Sequence, residues 1–139
     1  MLALFLGDSL DLVVYRELIG EFVGAGVCPV IGDLNHSRWD VPSCHLVVFF
    51  GSSDLELSKK IRCLFPGSLV IVNVVSDDSG ELGGCLFDIV VRRSGGGFNL
   101  LKSRWDIHTE FMLLRDFVEY VISGTRRRMG LLATGYDIW

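Results

Sequence analysis

A serine stands close behind the first apolar run of the chain. Residues 2–6 predict a strand, and the residues after Ser9 repeat their apolar positions with a helical period. Ser9 is therefore expected at a strand-to-helix junction, where unpaired backbone N–H groups and the helix dipole stabilise developing negative charge. This position suits a nucleophile, and it equally suits a serine that only caps its helix.

A serine nucleophile needs a general base, and the base needs a group that orients it. The chain has three histidines, and one of them, His108, stands two residues after Asp106 at the start of the predicted last helix. Asp106 and His108 are therefore the candidate acid and base of a serine hydrolase. In the alternative interpretation Asp106 only caps that helix.

The elements that would position these residues follow from the alternation of apolar runs and helix-period segments. This alternation is typical of one α/β domain with a mainly parallel sheet. The predicted strands are residues 2–6, 27–31, 45–50, 68–75 and 85–91. The last helix is predicted over residues 107–122. Segment 92–105 is predicted to be a mobile loop, and segment 125–139 an irregular tail. All of these segments belong to a single predicted domain, residues 1–139.

The candidate site is expected at one edge of this sheet. Central strands that are apolar throughout indicate helices on both faces. In such sheets ligands bind at the carboxyl ends of the strands. The relevant loops are residues 7–9, 32–43 and 51–54 and the region of residues 106–108.

Three short segments resemble the blocks of the SGNH hydrolases, also called GDSL esterases and lipases. They are GDSL at residues 7–10, GSSDL at 51–55 and DIHTEFMLLRDFVEYVI at 106–122. The resemblance implies a flavodoxin-like three-layer fold and metal-free hydrolysis of a small ester. We expect the sheet of this fold to have five strands and to be mainly parallel. It also implies Ser9 as nucleophile, His108 as base and Asp106 as the residue that orients the base. The backbone N–H groups of Ser9 and Gly32 would be oxyanion donors.

The sequence departs from the family pattern at two places. Ser53 stands where the family has an oxyanion-hole asparagine, and one residue rather than two separates Asp106 from His108. The Ser53 hydroxyl either replaces the amide as a donor or only caps a helix together with Glu56. A catalytically silent α/β module that binds or assembles with a protein or RNA partner is therefore the alternative function.

Composition limits the remaining function classes. Half of the residues are apolar and the net charge is −4, which indicates a folded domain and argues against a nucleic-acid partner except through Arg126, Arg127 and Arg128. No zinc-type cysteine spacing or glycine-rich nucleotide motif is present, so we expect no metal and no cofactor. We also expect a cytoplasmic protein with no membrane association, and a protein partner or homo-oligomer stays open.

Overall fold

Strands and helices are interspersed through the first half of the chain. A computed structural model describes residues 1–33, 44–51, 55–65, 67–75, 87–104 and 111–134. Its strands are β1 (Leu2–Gly7), β2 (Cys28–Asp33), β3 (Leu46–Phe50), β4 (Val70–Val75), β5 (Ile89–Ser94), β6 (Gly97–Ser103) and β7 (Phe111–Leu113). Its helices are α1 (Ser9–Val14), α2 (Arg16–Gly24), α3 (Leu55–Leu64) and α4 (Leu114–Thr134).

All the described strands belong to one sheet. Their order is β2-β1-β3-β4-β5-β6-β7. The first five strands in this order are parallel to one another, and β6 and β7 extend the sheet by antiparallel pairing. The predicted α/β class with a mainly parallel sheet is confirmed. The predicted number of five strands is wrong, because residues 97–103 and 111–113 add two more.

Helices cover both faces of the sheet. Alternate side chains of β1 separate into two clusters, with Ala3 and Phe5 in one and Leu4 and Leu6 in the other. The first cluster contains the buried side chains of α2 and α4, among them Leu18, Phe22, Phe117, Val118 and Val121. The second contains Ile61 of α3. This arrangement explains why β1 and β3 lack polar side chains and why β4 has only one, that of Asn73.

The glycine-rich segment predicted as a mobile loop is instead a hairpin between β5 and β6. Ser94 pairs with Gly97, and Gly95, with φ 58°, takes the first central position of the two-residue turn. A positive φ at the first central position but not at the second, Gly96, is the pattern of a type II′ turn, and it favours glycine at the first. A Cβ on Gly97 would clash with the carbonyl oxygen of Met112, so the close approach of β6 and β7 also requires a glycine.

The first helix of the prediction is divided in two at Tyr15. Tyr15 has φ −97° and ψ 17°, and its ring is buried against the ring of Phe50. Leu18 and Phe22 of α2 are buried as the helical period predicts, whereas Leu10 is 73% exposed. The apolar period therefore predicts Leu18 and Phe22 of α2 correctly, but it is wrong for Val23 of α2, which is 45% exposed, and for α1.

The last helix begins later and ends later than the sequence predicts. Phe111, predicted on its buried face, belongs to β7 and is 43% exposed. The helix α4 continues to Thr134, so the prediction of an irregular tail is wrong for residues 125–134. The apolar period fades there, but arginine is a good helix former and the side chains of Arg126 and Arg127 are exposed to solvent.

Candidate functional site

The carboxyl ends of the parallel strands bring two of the predicted site residues to neighbouring positions. The backbone of Ser9 begins α1 two residues after β1 ends at Gly7. Gly32 pairs with Leu6 in the register of β1 and β2. Ser9 and Gly32 therefore belong to the ends of adjacent strands, at the edge of the sheet where α/β domains bind ligands.

The other predicted site residues, Ser53, Asp106 and His108, lie outside the described residues. Their described neighbours are Gly51 at the end of β3 and Phe111 at the start of β7. Neighbouring strands lie about 4.8 Å apart, so the five steps from β1 to β7 correspond to about 24 Å across the sheet. The strand that follows the predicted acid and base is thus five positions from β1 in the sheet.

An asparagine within β4 holds the end of β3. Asn73 is fully buried, and its Nδ2 donates hydrogen bonds to the carbonyl oxygens of Phe49 and Gly51, each at 3.2 Å. Its Oδ1 accepts no hydrogen bond from the described part of the chain. The sequence analysis missed Asn73, although a single amide within the apolar segment 69–75 is the signal that could have identified it.

A pocket of about 100 Å³ lies at the carboxyl end of β5. The β5–β6 turn forms one wall, and the junction of α1 and α2 forms the other. Its polar wall residues include Tyr15, Glu17 and Arg93, and its apolar wall residues are Val14, Leu18, Phe98 and Leu114. The sequence analysis missed this pocket.

Stacked groups form one side of the pocket. The ring of Tyr15 lies parallel to that of Phe50, with an interplanar angle of 7° and centroids 4.7 Å apart. The guanidinium carbon of Arg93 lies 5.9 Å from the centroid of the Tyr15 ring, within cation–π range. Because Tyr15 is 4% exposed and packed on the core, it provides a fixed platform for a side chain that is itself exposed.

The two charged groups of the pocket are Arg93 and Glu17. Neither Arg93 nor Glu17 forms an ion pair with a residue that the structure describes. A guanidinium offers five N–H donors and a carboxylate offers only acceptors. The pocket can therefore bind a ligand that has an anionic end and a hydrogen-bond-donating end.

A second polar cluster lies at the start of β5, away from this pocket. The carboxylate of Asp88 is 2% exposed. Its Oδ1 accepts hydrogen bonds from Arg62 and Arg104, each at 2.9 Å, and its Oδ2 accepts one from the backbone N–H of Ile71 at 2.7 Å. This cluster joins α3, β4, β5 and the end of β6, and its saturated hydrogen bonding indicates a structural role.

The described residues include three free cysteines and no cluster of potential metal ligands. No group of three or more His, Cys, Asp or Glu side chains is arranged there to hold a metal ion. Cys28, Cys44 and Cys63 are free thiols, and burial raises the pKa of the Cys44 thiol. Within the described ranges, no helix is long and apolar enough to cross a membrane.

Comparisons with known proteins do not assign the chain to a family. No protein-family model matches it, and no curated protein matches it. A solved structure described as "Crystal structure of an hypothetical protein" aligns with 97% of this chain and 72% of its own length, at 13% identity and a TM-score of 0.39. A likeness this weak supports no inference about function.

Proposed function

We propose that this chain is a non-catalytic α/β module that binds a small molecule, on a scaffold of the flavodoxin-like three-layer type. The observation that carries the proposal is the pocket beside the β5–β6 turn, where Arg93 lies over the Tyr15 ring and Glu17 lines the same pocket. Sites for small ligands are typically concave and mostly apolar, with a few convergent polar groups. This pocket has that composition.

The position of the pocket in the sheet supports the same function. Strand order β2-β1-β3-β4-β5 is the order of flavodoxin-like doubly wound sheets, which bind ligands at their carboxyl edge. The turn between Ser94 and Gly97 lies at this edge, because β5 runs parallel to β1, β3 and β4. The pocket therefore occupies the edge at which this class of sheet binds its ligands.

An SGNH-like esterase is the second candidate, and the observation in its favour is the junction at Ser9. Ser9 begins α1 directly after β1, and Gly32 belongs to the neighbouring strand. Asp106 and His108, however, lie outside the described residues, so their distance from Ser9 stays untested. The pocket of the binding module, by contrast, consists of described residues.

Hydrolysis of p-nitrophenyl acetate separates the two functions. We expect the same background rate for wild type, Ser9→Ala and His108→Ala, with Ser94→Ala as a control substitution at the same edge and folding checked by circular dichroism. We also expect no labelling by a fluorophosphonate. Turnover and labelling that disappear in Ser9→Ala and His108→Ala but persist in Ser94→Ala would overturn the proposal and establish the esterase.

A fragment screen tests the binding function directly. Amide ¹H–¹⁵N spectra of the full chain are recorded with a set of small metabolites at millimolar concentration. Saturable shifts are expected at the amides of residues 93–98. If every saturable shift falls elsewhere in the chain, the pocket is not the ligand site and the proposal is wrong.

A further inference from the structure

We propose that the pocket binds a small zwitterion of the α-amino acid type, with the ligand carboxylate on Arg93 and the ligand ammonium on Glu17. This inference rests on the proposed binding function and specifies its ligand class. It depends on three features of the pocket: a cation that lies over the Tyr15 ring, a carboxylate that lines the same pocket, and a small volume with apolar walls.

Arg93 is the carboxylate-binding group. Successive side chains of a strand point to opposite faces, so Arg93 shares the face of Ile89 and Val91, which is the face covered by α2 and α4. The ring of Tyr15 supports its guanidinium from one side. Its planar set of donors matches the two oxygens of a carboxylate, and no described acceptor competes for them.

The β5–β6 turn adds space and donors beside Arg93. Gly95 and Gly96 lie between the paired residues Ser94 and Gly97, so their amides lie outside the register of the β5–β6 ladder. A Cβ on Gly96 would have no heavy atom within 4 Å, which shows that the turn is open at this point. A carboxylate on Arg93 can therefore approach the turn backbone closely.

Glu17 makes a purely anionic ligand unfavourable. It lies in the first turn of α2, lines the same pocket and has no ion-pair partner among the described residues. A carboxylate accepts hydrogen bonds and does not donate them. An ammonium group on the ligand would pair with Glu17, whereas a simple anion would be repelled by it.

The size of the pocket limits the ligand. Sites for drug-sized ligands usually have about 300–1,000 Å³, and this pocket has about 100 Å³. Leu18, Phe98 and Leu114 form an apolar wall suited to a methyl or similarly small side chain. L-Alanine is therefore the appropriate probe.

The test is an amide ¹H–¹⁵N titration of the full chain with L-alanine, propionate and ethylamine. Propionate keeps the carboxylate without the ammonium, and ethylamine keeps the ammonium without the carboxylate. L-Alanine is expected to shift the amides of residues 93–98 saturably, and each half-ligand is expected to bind at least about tenfold more weakly, because each lacks one charge-assisted contact.

Matched variants test the two anchors. Arg93→Gln and Glu17→Gln are each expected to weaken L-alanine binding at least about tenfold, whereas Arg126→Gln and Glu21→Gln leave it unchanged. Arg93→Lys keeps the charge but not the planar donor set, and an intermediate loss is expected. Amide spectra of the free variants verify folding.

Three outcomes would overturn the inference: absence of saturable shifts with L-alanine, equal affinity for propionate and L-alanine, or unchanged affinity in Glu17→Gln. Saturable binding of propionate alone at these amides would reject the zwitterion and retain the binding module. Serine-dependent ester hydrolysis would reject the binding module itself, so the two failures are distinguishable.

Discussion

Replacement of Asp88 by asparagine tests the cluster that joins α3, β4, β5 and the end of β6. The Asp88 carboxylate is buried and accepts from donors on both of its oxygens: two arginines on Oδ1 and the backbone of Ile71 on Oδ2. An asparagine has the same shape but carries two N–H donors in place of one oxygen. Asp88→Asn therefore directs a donor either at the arginines or at the Ile71 N–H.

The cost has two parts. A buried donor without an acceptor destabilises a protein by about 1–3 kcal/mol. The lost ion pairs add about 1 kcal/mol in total, because the side chains of Arg62 and Arg104 are 31% and 45% exposed and solvent screens them. The free energy of unfolding should therefore fall by about 3 kcal/mol, which for 139 residues corresponds to a decrease in Tm of about 10 °C.

Urea and thermal denaturation followed by circular dichroism measure this loss. Glu119→Gln, an acidic residue exposed on α4, removes one negative charge without a buried contact and should change the stability by less than about 0.5 kcal/mol. Arg62→Gln and Arg104→Gln should each cost less than half as much as Asp88→Asn, because the remaining arginine still occupies Oδ1. A decrease of less than about 1 kcal/mol in Asp88→Asn would show that the cluster contributes little to stability.

Two further predictions concern the glycine turn and the buried thiol. Gly97→Ala should destabilise the protein by about 2 kcal/mol or more, because the new Cβ would meet a backbone carbonyl. Gly96→Ala, where the new Cβ has open space, should cost less than about 1 kcal/mol. Equal unfolding midpoints for the two variants would contradict this prediction. Iodoacetamide should alkylate the exposed Cys28 and Cys63 in the native protein and Cys44 only on unfolding, as mass spectrometry of the digested protein can show. Burial raises the pKa of Cys44, so the folded protein keeps a thiol proton that the unfolded chain loses above about pH 9. The unfolding midpoint should therefore fall as the pH rises through that range. In Cys44→Ala the midpoint should fall by a smaller amount over the same range.

The central strands β1, β3 and β4 can be predicted from the sequence because nearly all of their residues are apolar on both faces. Val47, Val48 and Phe49 are all fully buried, so the pattern needs no knowledge of the partner strands. The helix α2 is similarly predictable, since Leu18 and Phe22 repeat at helical spacing and both pack on the sheet. In each case the positions that are apolar in the sequence are the positions whose side chains are buried in the folded protein.

Strands β6 and β7 cannot be predicted from the sequence, because the features that define them depend on contacts between residues that are distant in the chain. The need for glycine at residue 97 becomes visible only when β7 lies against β6. Residues 99–103 are half-buried, so β6 lacks the continuous apolar run that identifies β3. A sequence analysis therefore takes the three glycines for a flexible loop, when one provides a positive φ and another a close strand contact.

The candidate site shows the same limit. The strand-to-helix junction at Ser9 can be predicted from the sequence, because β1 and the start of α1 lie within one short segment. The pocket cannot, because Tyr15 and Arg93 are 78 positions apart and meet only through the packing of α2 on the sheet. Neither residue has a local pattern that distinguishes it from an ordinary core tyrosine or an exposed strand arginine.

The added strands connect these observations. β6 and β7 lie between β5 and the last helix, so the segment that resembles a histidine block leads into the far edge of the sheet, about 24 Å from β1. The same addition forms the turn of residues 95–96 that makes one wall of the pocket. The β5–β6 hairpin thus begins the extension of the sheet beyond its five parallel strands and also forms one wall of the pocket at the carboxyl edge.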